Sequence, residues 1–178
     1  MSLKPQDVYV ALKLVALGAR RPSYSQLALD LAMSPSEAHA SVKRLQASGL
    51  LHGPALQDRP NITALEEFLL HGLKYSFPAE RGEMSRGVPT SYAAEPLRNL
   101  ISMGDDPGPV WPYPEGKQRG VAFSPLYKTA PRAAVRDKPF YELLALADAL
   151  RDGRVRERKL AEVELHRRLR TAHAESKS

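Results

Sequence analysis

The side chains with the most reactive chemistry are scattered along this sequence. Its 178 residues include five histidines and no cysteine. Thiol nucleophiles, disulfides and zinc–thiolate sites are therefore excluded, and no pair of histidines has a metal-binding spacing such as His-x-x-x-His. The adjacent acids Asp105 and Asp106 precede proline and glycine, which is typical of a solvated turn. The sequence predicts no catalysis, no metal site and no cofactor.

The residues suited to binding are concentrated nearer the N-terminus. Ser36, His39, Lys43 and Arg44 lie with Ala40 on the outer side of one predicted helix. Short side chains at the start of a helix and cations near its end suit insertion into the major groove of DNA. The free N–H groups at such a helix start also suit a phosphate. Arg20 and Arg21 precede the helix before it, where another phosphate could lie.

Three short helices are predicted over residues 4–51 to position these side chains. Pro5 suits the first turn of helix one, and Gly18 ends it. Ser23 with Gln26 and Ser34 with Glu37 have the spacing of capping boxes, which would open helices two and three. A short helix, a three-residue turn and a second helix form the helix-turn-helix layout. Helix three is expected to run to about Ser48.

The rest of the chain divides into three regions that differ in composition and in predicted secondary structure. Thr63 and Glu66 have the spacing of a third capping box, which would open a fourth helix. Ten of the 15 prolines lie between Pro78 and Pro139, so residues 78–136 predict an ordered strand-and-loop arm in which helix is improbable. A short strand is expected at residues 119–123. Residues 137–172 return to helical spacing, with a break at Asp152 and Gly153.

The N-terminal segment resembles the winged helix-turn-helix of MarR-type transcriptional regulators. The matching segments are residues 23–28, residues 33–38 and residues 42–51, and the last of these ends in Leu-x-x-x-Gly-Leu-Leu. The resemblance covers about the first 55 residues and implies a DNA-binding domain. Residues 52–61, at the place of the wing, lack an alternating hairpin pattern. The candidate DNA contacts are Arg20, Arg21, Ser34, Ser36, Glu37, His39, Lys43, Arg44 and the wing cation Arg59.

Positive charge is concentrated at the two ends of the chain. Residues 1–53 hold six basic and three acidic groups, residues 54–150 hold eleven and twelve, and residues 151–171 hold eight and four. A basic stripe across helix three and the wing favours DNA as the partner. A stripe confined to residues 151–170 favours an acidic protein partner instead.

These observations predict a mainly α protein in three parts. The parts are a winged helix-turn-helix domain (1–77), a proline-rich extended arm (78–136) and a C-terminal helical extension (137–172). The leading function is a DNA-binding transcriptional regulator, expected to be a cytoplasmic homodimer without membrane association. The alternative is a non-catalytic, antitoxin-like adaptor that binds a protein partner through its C-terminal helices. A weaker alternative, a repressor that responds to a small molecule, would need an apolar pocket between the arm and those helices.

Overall fold

The computed structural model describes residues 2–53 and 59–177. The chain is mainly helical, as the sequence predicts, with 56% of its residues in helices and one small three-stranded sheet. The helices are α1 Pro5–Leu17, α2 Tyr24–Leu31, α3 Pro35–Ala47, α4 Ile62–His71, α5 Leu73–Ser76, α6 Ala130–Ala134, α7 Lys138–Asp152 and α8 Val155–Lys177. The strands are β1 Arg81–Pro89, β2 Pro109–Pro112 and β3 Gln118–Phe123.

The three predicted capping boxes have three different outcomes. Ser34 and Glu37 exchange both hydrogen bonds at the start of α3, as predicted. Ser23 caps α2, but the side chain of Gln26 donates to Asp30 instead of reaching back. The third prediction is wrong. The residue that caps α4 is Asn61, and Glu66 instead accepts hydrogen bonds from α8.

Helix α1 lies at the centre of the core. Five consecutive residues, Val8 to Leu12, are fully buried, which requires neighbours on every side of the helix. The neighbours are α3 and α7, with α8 at one end. The ring of Tyr9 packs against Phe140 of α7, with their centroids 5.2 Å apart. One continuous apolar core therefore joins the N-terminal helices to the C-terminal ones.

Each strand of the small sheet pairs with the other two. Strand β1 runs antiparallel to both β2 and β3, which are parallel to each other. The strand β3 confirms the extended segment predicted at residues 119–123. Gly87 pairs with Pro112 of β2, and a Cβ atom at Gly87 would be 2.0 Å from the Trp111 carbonyl oxygen. Only glycine permits this approach.

A buried polar cluster attaches the sheet to α7. The Asp148 carboxylate is 1% exposed and accepts hydrogen bonds from Thr90 at 2.6 Å and from the Trp111 indole at 2.8 Å. Its other oxygen is paired with Arg151 at 2.8 Å. Burial raises the pKa of Asp148, and the positive charge of Arg151 opposes that shift. Trp111, which is 1% exposed, is thus an anchor that holds the arm to the core.

A helix does occur at one end of residues 78–136, where the proline content makes helix improbable. Helix α6 spans Ala130–Ala134, with Pro131 in its first turn. Proline is tolerated there because the first N–H groups of a helix have no intrahelical acceptor. Two short 3-10 helices also lie in the arm, at Ser91–Ala93 and Leu97–Asn99. Among the described residues, no helix combines the length and apolar character needed to cross a bilayer.

Candidate nucleic-acid interface

Helix α3 has one buried side and one exposed side. Ala38, Ser41, Val42 and Leu45 are buried against α1 and α2. Ser36, His39 and Lys43 face solvent on the opposite side, with Ala40 half-buried between them. The sequence predicted this outward placement of Ser36, His39 and Lys43. The rest of the described chain leaves these side chains accessible to a partner.

A tight turn fixes the angle between α2 and α3. Three residues join the helices, and the first, Ala32, has a φ of 55° in the left-handed region. The Met33 N–H donates to the Ala28 carbonyl at 2.9 Å and closes the C-terminal turn of α2. A left-handed alanine is uncommon because its Cβ crowds the backbone. Contacts around the turn must therefore stabilise this conformation.

Those contacts converge on the last carbonyl of α2. The Tyr9 hydroxyl donates to the Leu31 carbonyl at 3.0 Å, and the Thr129 hydroxyl donates to the same oxygen at 2.8 Å. The two hydroxyls are 3.1 Å apart. Burial raises the pKa of Tyr9 above its ordinary value, so the phenol stays protonated and can donate. Helix α1, the turn and the segment before α6 are thereby joined at one point.

Ser34 and Glu37 cap the start of α3 through reciprocal hydrogen bonds between side chain and backbone. The Ser34 N–H donates to Glu37 at 3.0 Å, and the Glu37 N–H donates to the Ser34 hydroxyl at 3.1 Å. The Tyr127 hydroxyl donates to the second oxygen of Glu37 at 3.2 Å. The hydrogen bond from the Ser34 backbone lowers the pKa of Glu37 below its ordinary value. Both residues therefore have structural roles at the helix start, and Ser36 is the exposed polar residue beside them.

The two adjacent cations of α3 have different surroundings. Lys43 is exposed and makes no ion pair with a carboxylate of residues 2–53 or 59–177. The Arg44 guanidinium instead binds both oxygens of Asp7, at 2.8 and 2.7 Å. The Asp7 side chain is fully buried and that of Arg44 is 11% exposed. The expectation that Arg44 lies on the outer side is therefore wrong, because this pair holds it against α1.

The two arginines before α2 are bound to backbone carbonyls. Arg20 is exposed, and its Nε atom donates to the Leu17 carbonyl at the end of α1. One guanidinium nitrogen of Arg21 donates to the carbonyls of Gly18 and Arg20, at 2.7 and 2.6 Å. The Leu17 carbonyl carries part of the negative partial charge of the helix C-terminus. The contacts hold Arg21 at the end of α1, whereas Arg20, although bonded to Leu17, remains exposed.

The start of α2 lies beside the exposed side of α3. Tyr24 and His39 pack edge to face, with their ring centroids 4.9 Å apart. Arg21, Tyr24 and Val42 line one shallow depression between the two helices. Arg21 and Tyr24, at the start of α2, and His39 of α3 thus lie on one surface of the molecule.

A short ladder follows α3. Gly49 has a φ of 79° and closes the end of α3, since the Leu50 N–H donates to the Leu45 carbonyl. Leu51 and Pro60 form an isolated antiparallel bridge, and the His52 N–H donates to the Arg59 carbonyl at 2.8 Å. Arg59 is half-buried at the base of this ladder. Residues 54–58, at the predicted wing tip, lie outside the described residues.

Sequence reasoning missed a group of cations near α3. Lys128, Arg132 and Arg136 come from the segment around α6, yet they lie beside Ser34 and Glu37. They belong to a region that the proline content marked as an arm without helix. The spacing of Arg132 and Arg136, four residues apart, is the signal that could have placed them on one side of a helical turn.

The described residues contain no group of three or more histidines and acids positioned to hold a metal ion. No protein-family model matches the chain, and comparisons with curated proteins and with solved structures gave no match.

Proposed function

We propose that this protein binds double-stranded DNA through α3 and acts as a transcriptional regulator. The observation that supports this most is the exposed side of α3, which offers Ser36, His39 and Lys43 to a partner. The inner side of the same helix is held by buried apolar residues and by the Arg44–Asp7 pair. A rigidly held helix with small polar side chains and a cation on its outer side suits the major groove.

The connection between α2 and α3 also supports a helix-turn-helix. The turn of three residues is short, and its conformation is held by Tyr9 and Thr129. The bridge between Leu51 and Pro60 lies where a winged helix has its wing. We propose that α3 lies in the groove and that this ladder lies beside it, over the phosphate backbone.

The contacts divide into base-facing and phosphate-facing residues. We assign Ser36 and His39 to base edges, and Lys43 to a phosphate. Arg20 and Arg59 are additional phosphate contacts in this proposal. Arg44 is assigned to the contact between α1 and α3, Glu37 and Ser34 to the helix cap, and Arg21 to the end of α1.

The homodimer remains a prediction. Two-fold DNA sites favour a two-fold protein, since each subunit then reads one half-site. Light scattering coupled to size-exclusion chromatography would test it, with a mass of about twice the 19.7 kDa chain as the expected result.

The alternative, an adaptor that binds an acidic protein through α8, predicts a different surface. Arg167 and Arg168 of α8 both pair with Glu164, and Arg170 pairs with Glu66. An acidic partner would have to displace these intramolecular carboxylates. Lys43 faces no such competition, which favours the DNA proposal over the adaptor.

A titration of fluorescein-labelled duplex DNA, followed by anisotropy at several salt concentrations, tests the proposal. We expect the wild-type protein to bind duplexes of unrelated sequence at low salt, with an affinity that falls as salt rises. Lys43→Ala should weaken binding to all duplexes and reduce the slope of log K against log [salt] by about 0.9.

The matched control is Arg156→Ala, which removes an exposed cation of α8 without a described ion pair. We expect its affinity and slope to equal those of the wild type. Absence of duplex binding at low salt would contradict the proposal. Equal losses in the two variants would also contradict it.

A further inference from the structure

An open pocket of about 570 Å³ lies between the α2–α3 turn and α6. We call it the basic pocket, because it is lined by three cations, Lys128, Arg132 and Arg136. Its volume falls within the roughly 300–1,000 Å³ typical of small-molecule sites. It adjoins the start of α3 but is separate from the exposed side of that helix.

The charges around the basic pocket are not balanced within the described chain. None of its three cations forms an ion pair with a carboxylate of the described residues. The one acid in the lining, Glu37, already accepts hydrogen bonds from Ser34 and Tyr127. Glu37, whose pKa the charge of Lys128 helps to lower, is thus one carboxylate against three cations, and an anion bound between the cations would reduce the repulsion that remains.

The chemistry of these cations favours a phosphoryl group. Two of the three are arginines, whose planar guanidinium groups bind phosphate oxygens in pairs. Arg136 donates its Nε hydrogen to the Arg132 backbone carbonyl at 3.3 Å, which holds the Arg136 side chain against the end of α6. The terminal nitrogens of both then remain for a ligand.

The opposite wall of the basic pocket is apolar. Ala28, Leu29, Ala32 and Met33 of α2 and the turn form it. Leu29 is 69% exposed, which is unusual for a leucine in a chain whose other leucines are mostly buried. An apolar or aromatic group of a ligand would cover this side chain and remove it from water.

The two walls of the pocket are held together before any ligand arrives. Thr129, next to Lys128, donates to the Leu31 carbonyl, and Tyr127 donates to Glu37. These bonds connect the segment before α6 to both α2 and α3. A pre-formed site loses little conformational freedom on binding, which favours affinity.

We propose that the basic pocket binds a small phosphorylated molecule. Lys128, Arg132 and Arg136 hold its phosphate, and Leu29 and Met33 contact its apolar body. The cations line one wall of a hollow and face an apolar wall, which suits a compact anion with an apolar body better than a duplex backbone. The proposal does not depend on DNA binding by α3.

Isothermal titration calorimetry of the full chain tests the proposal with three probes: ADP, inorganic pyrophosphate and adenosine. We expect ADP and pyrophosphate to bind at one saturable site, with ADP binding more tightly because its base covers the apolar wall. Adenosine, which lacks the phosphates, should show no saturable binding at the same concentrations.

The Arg132→Ala, Arg136→Ala double variant should weaken ADP binding by at least about tenfold, since it removes two charge-assisted contacts. Both arginines are exposed, so the variant should fold, which circular dichroism would check. Leu29→Ser should weaken ADP binding and leave pyrophosphate binding unchanged. Arg156→Ala, at an exposed position on α8, is the matched control and should bind both probes like the wild type.

Absence of saturable binding of both ADP and pyrophosphate to the wild-type protein would overturn the proposal. An equal loss of affinity in Arg156→Ala would overturn it as well, because it would indicate non-specific attraction. If neither probe binds and the double variant instead weakens duplex binding, the cations belong to the DNA surface. Lys43→Ala, measured against DNA alone, separates failure of this proposal from failure of the proposed function.

Discussion

Three arginines in the C-terminal half of α8 and the cations around α3 and α6 have different surroundings. On α8, Arg167 and Arg168 share Glu164, and Arg170 binds Glu66 of α4. Lys43 of α3 and the three cations of the basic pocket form no such pairs with the described carboxylates. The sequence carries more positive charge in residues 151–171 than in helix three. The count of basic residues therefore does not locate a binding surface, because pairing within the chain decides which charges remain for a partner.

The same difference exists within α3, between the paired Arg44 and the exposed Lys43. Replacement of Arg44 should have the largest effect on stability. Arg44→Ala leaves the fully buried carboxylate of Asp7 without its guanidinium partner. Loss of one member of a buried ion pair costs about 3–5 kcal/mol, and the Asp7 carboxylate would keep only the hydrogen bond from the Lys4 N–H. Urea denaturation followed by circular dichroism would measure the loss of unfolding free energy.

Lys43→Ala is the control for that experiment, since Lys43 is the exposed neighbour of Arg44. A surface substitution of this kind changes the unfolding free energy by less than about 0.5 kcal/mol. We therefore expect Arg44→Ala to lose stability and Lys43→Ala to lose affinity for DNA. Equal stabilities for the two variants would contradict the structural role of the Arg44–Asp7 pair.

A smaller effect is expected where α8 is paired with α4. Glu66 is 8% exposed and accepts hydrogen bonds from both His166 and Arg170. Glu66→Ala should lower the unfolding free energy by about 1–3 kcal/mol, because it removes two charge-assisted hydrogen bonds. If these α8 residues have only a structural role, the affinity for duplex DNA should not change.

Glu67→Ala tests the specificity of the Glu66 effect, since Glu67 is the exposed neighbour without a described ion pair. We expect its unfolding curve to match that of the wild type. A gain of DNA affinity in Glu66→Ala but not in Glu67→Ala would assign the released α8 cations to the DNA surface and contradict their purely structural role.

The smallest effect is a pH dependence at the start of α3. The folded-state pKa of Glu37 lies below its ordinary value of 4.5, so the carboxylate stabilises the fold above that pH. That stability is lost as pH falls below 4.5 and through the folded pKa. Glu37→Gln keeps the cap geometry and removes the titration, so the decline in thermal stability between pH 6 and 3 should become shallower.

Glu162→Gln is the matched control for the pH series. Glu162 is an exposed acid of α8 without a described ion pair. We expect its melting temperature to follow the wild-type pH profile. Identical profiles for Glu37→Gln and the wild type would show that the charge of Glu37 contributes no measurable stability at the start of α3.

The features that sequence predicted well are local ones. Ser34 and Glu37 lie three residues apart on one turn, so their capping box could be read from spacing alone. The outward placement of Lys43 follows in the same way from the apolar period of α3. The mainly helical fold and the strand at Gln118–Phe123 were predicted from similar short-range patterns.

The features that sequence did not predict depend on distant partners. Arg44 pairs with an acid 37 residues away, and Glu66 pairs with Arg170, 104 residues away. The cations of α6 reach the start of α3 only because the arm folds back over the turn. Helical periodicity gives the side of a helix on which a residue lies, but it does not give the element that packs there.

Chemical-shift mapping of the ¹⁵N-labelled protein with unlabelled duplex DNA tests the central claim most directly. We predict the largest amide shifts at Ser36, His39 and Lys43, with little change along the outer side of α8. Shifts concentrated on α8, around Arg156 and Arg167, with none on α3, would contradict the account.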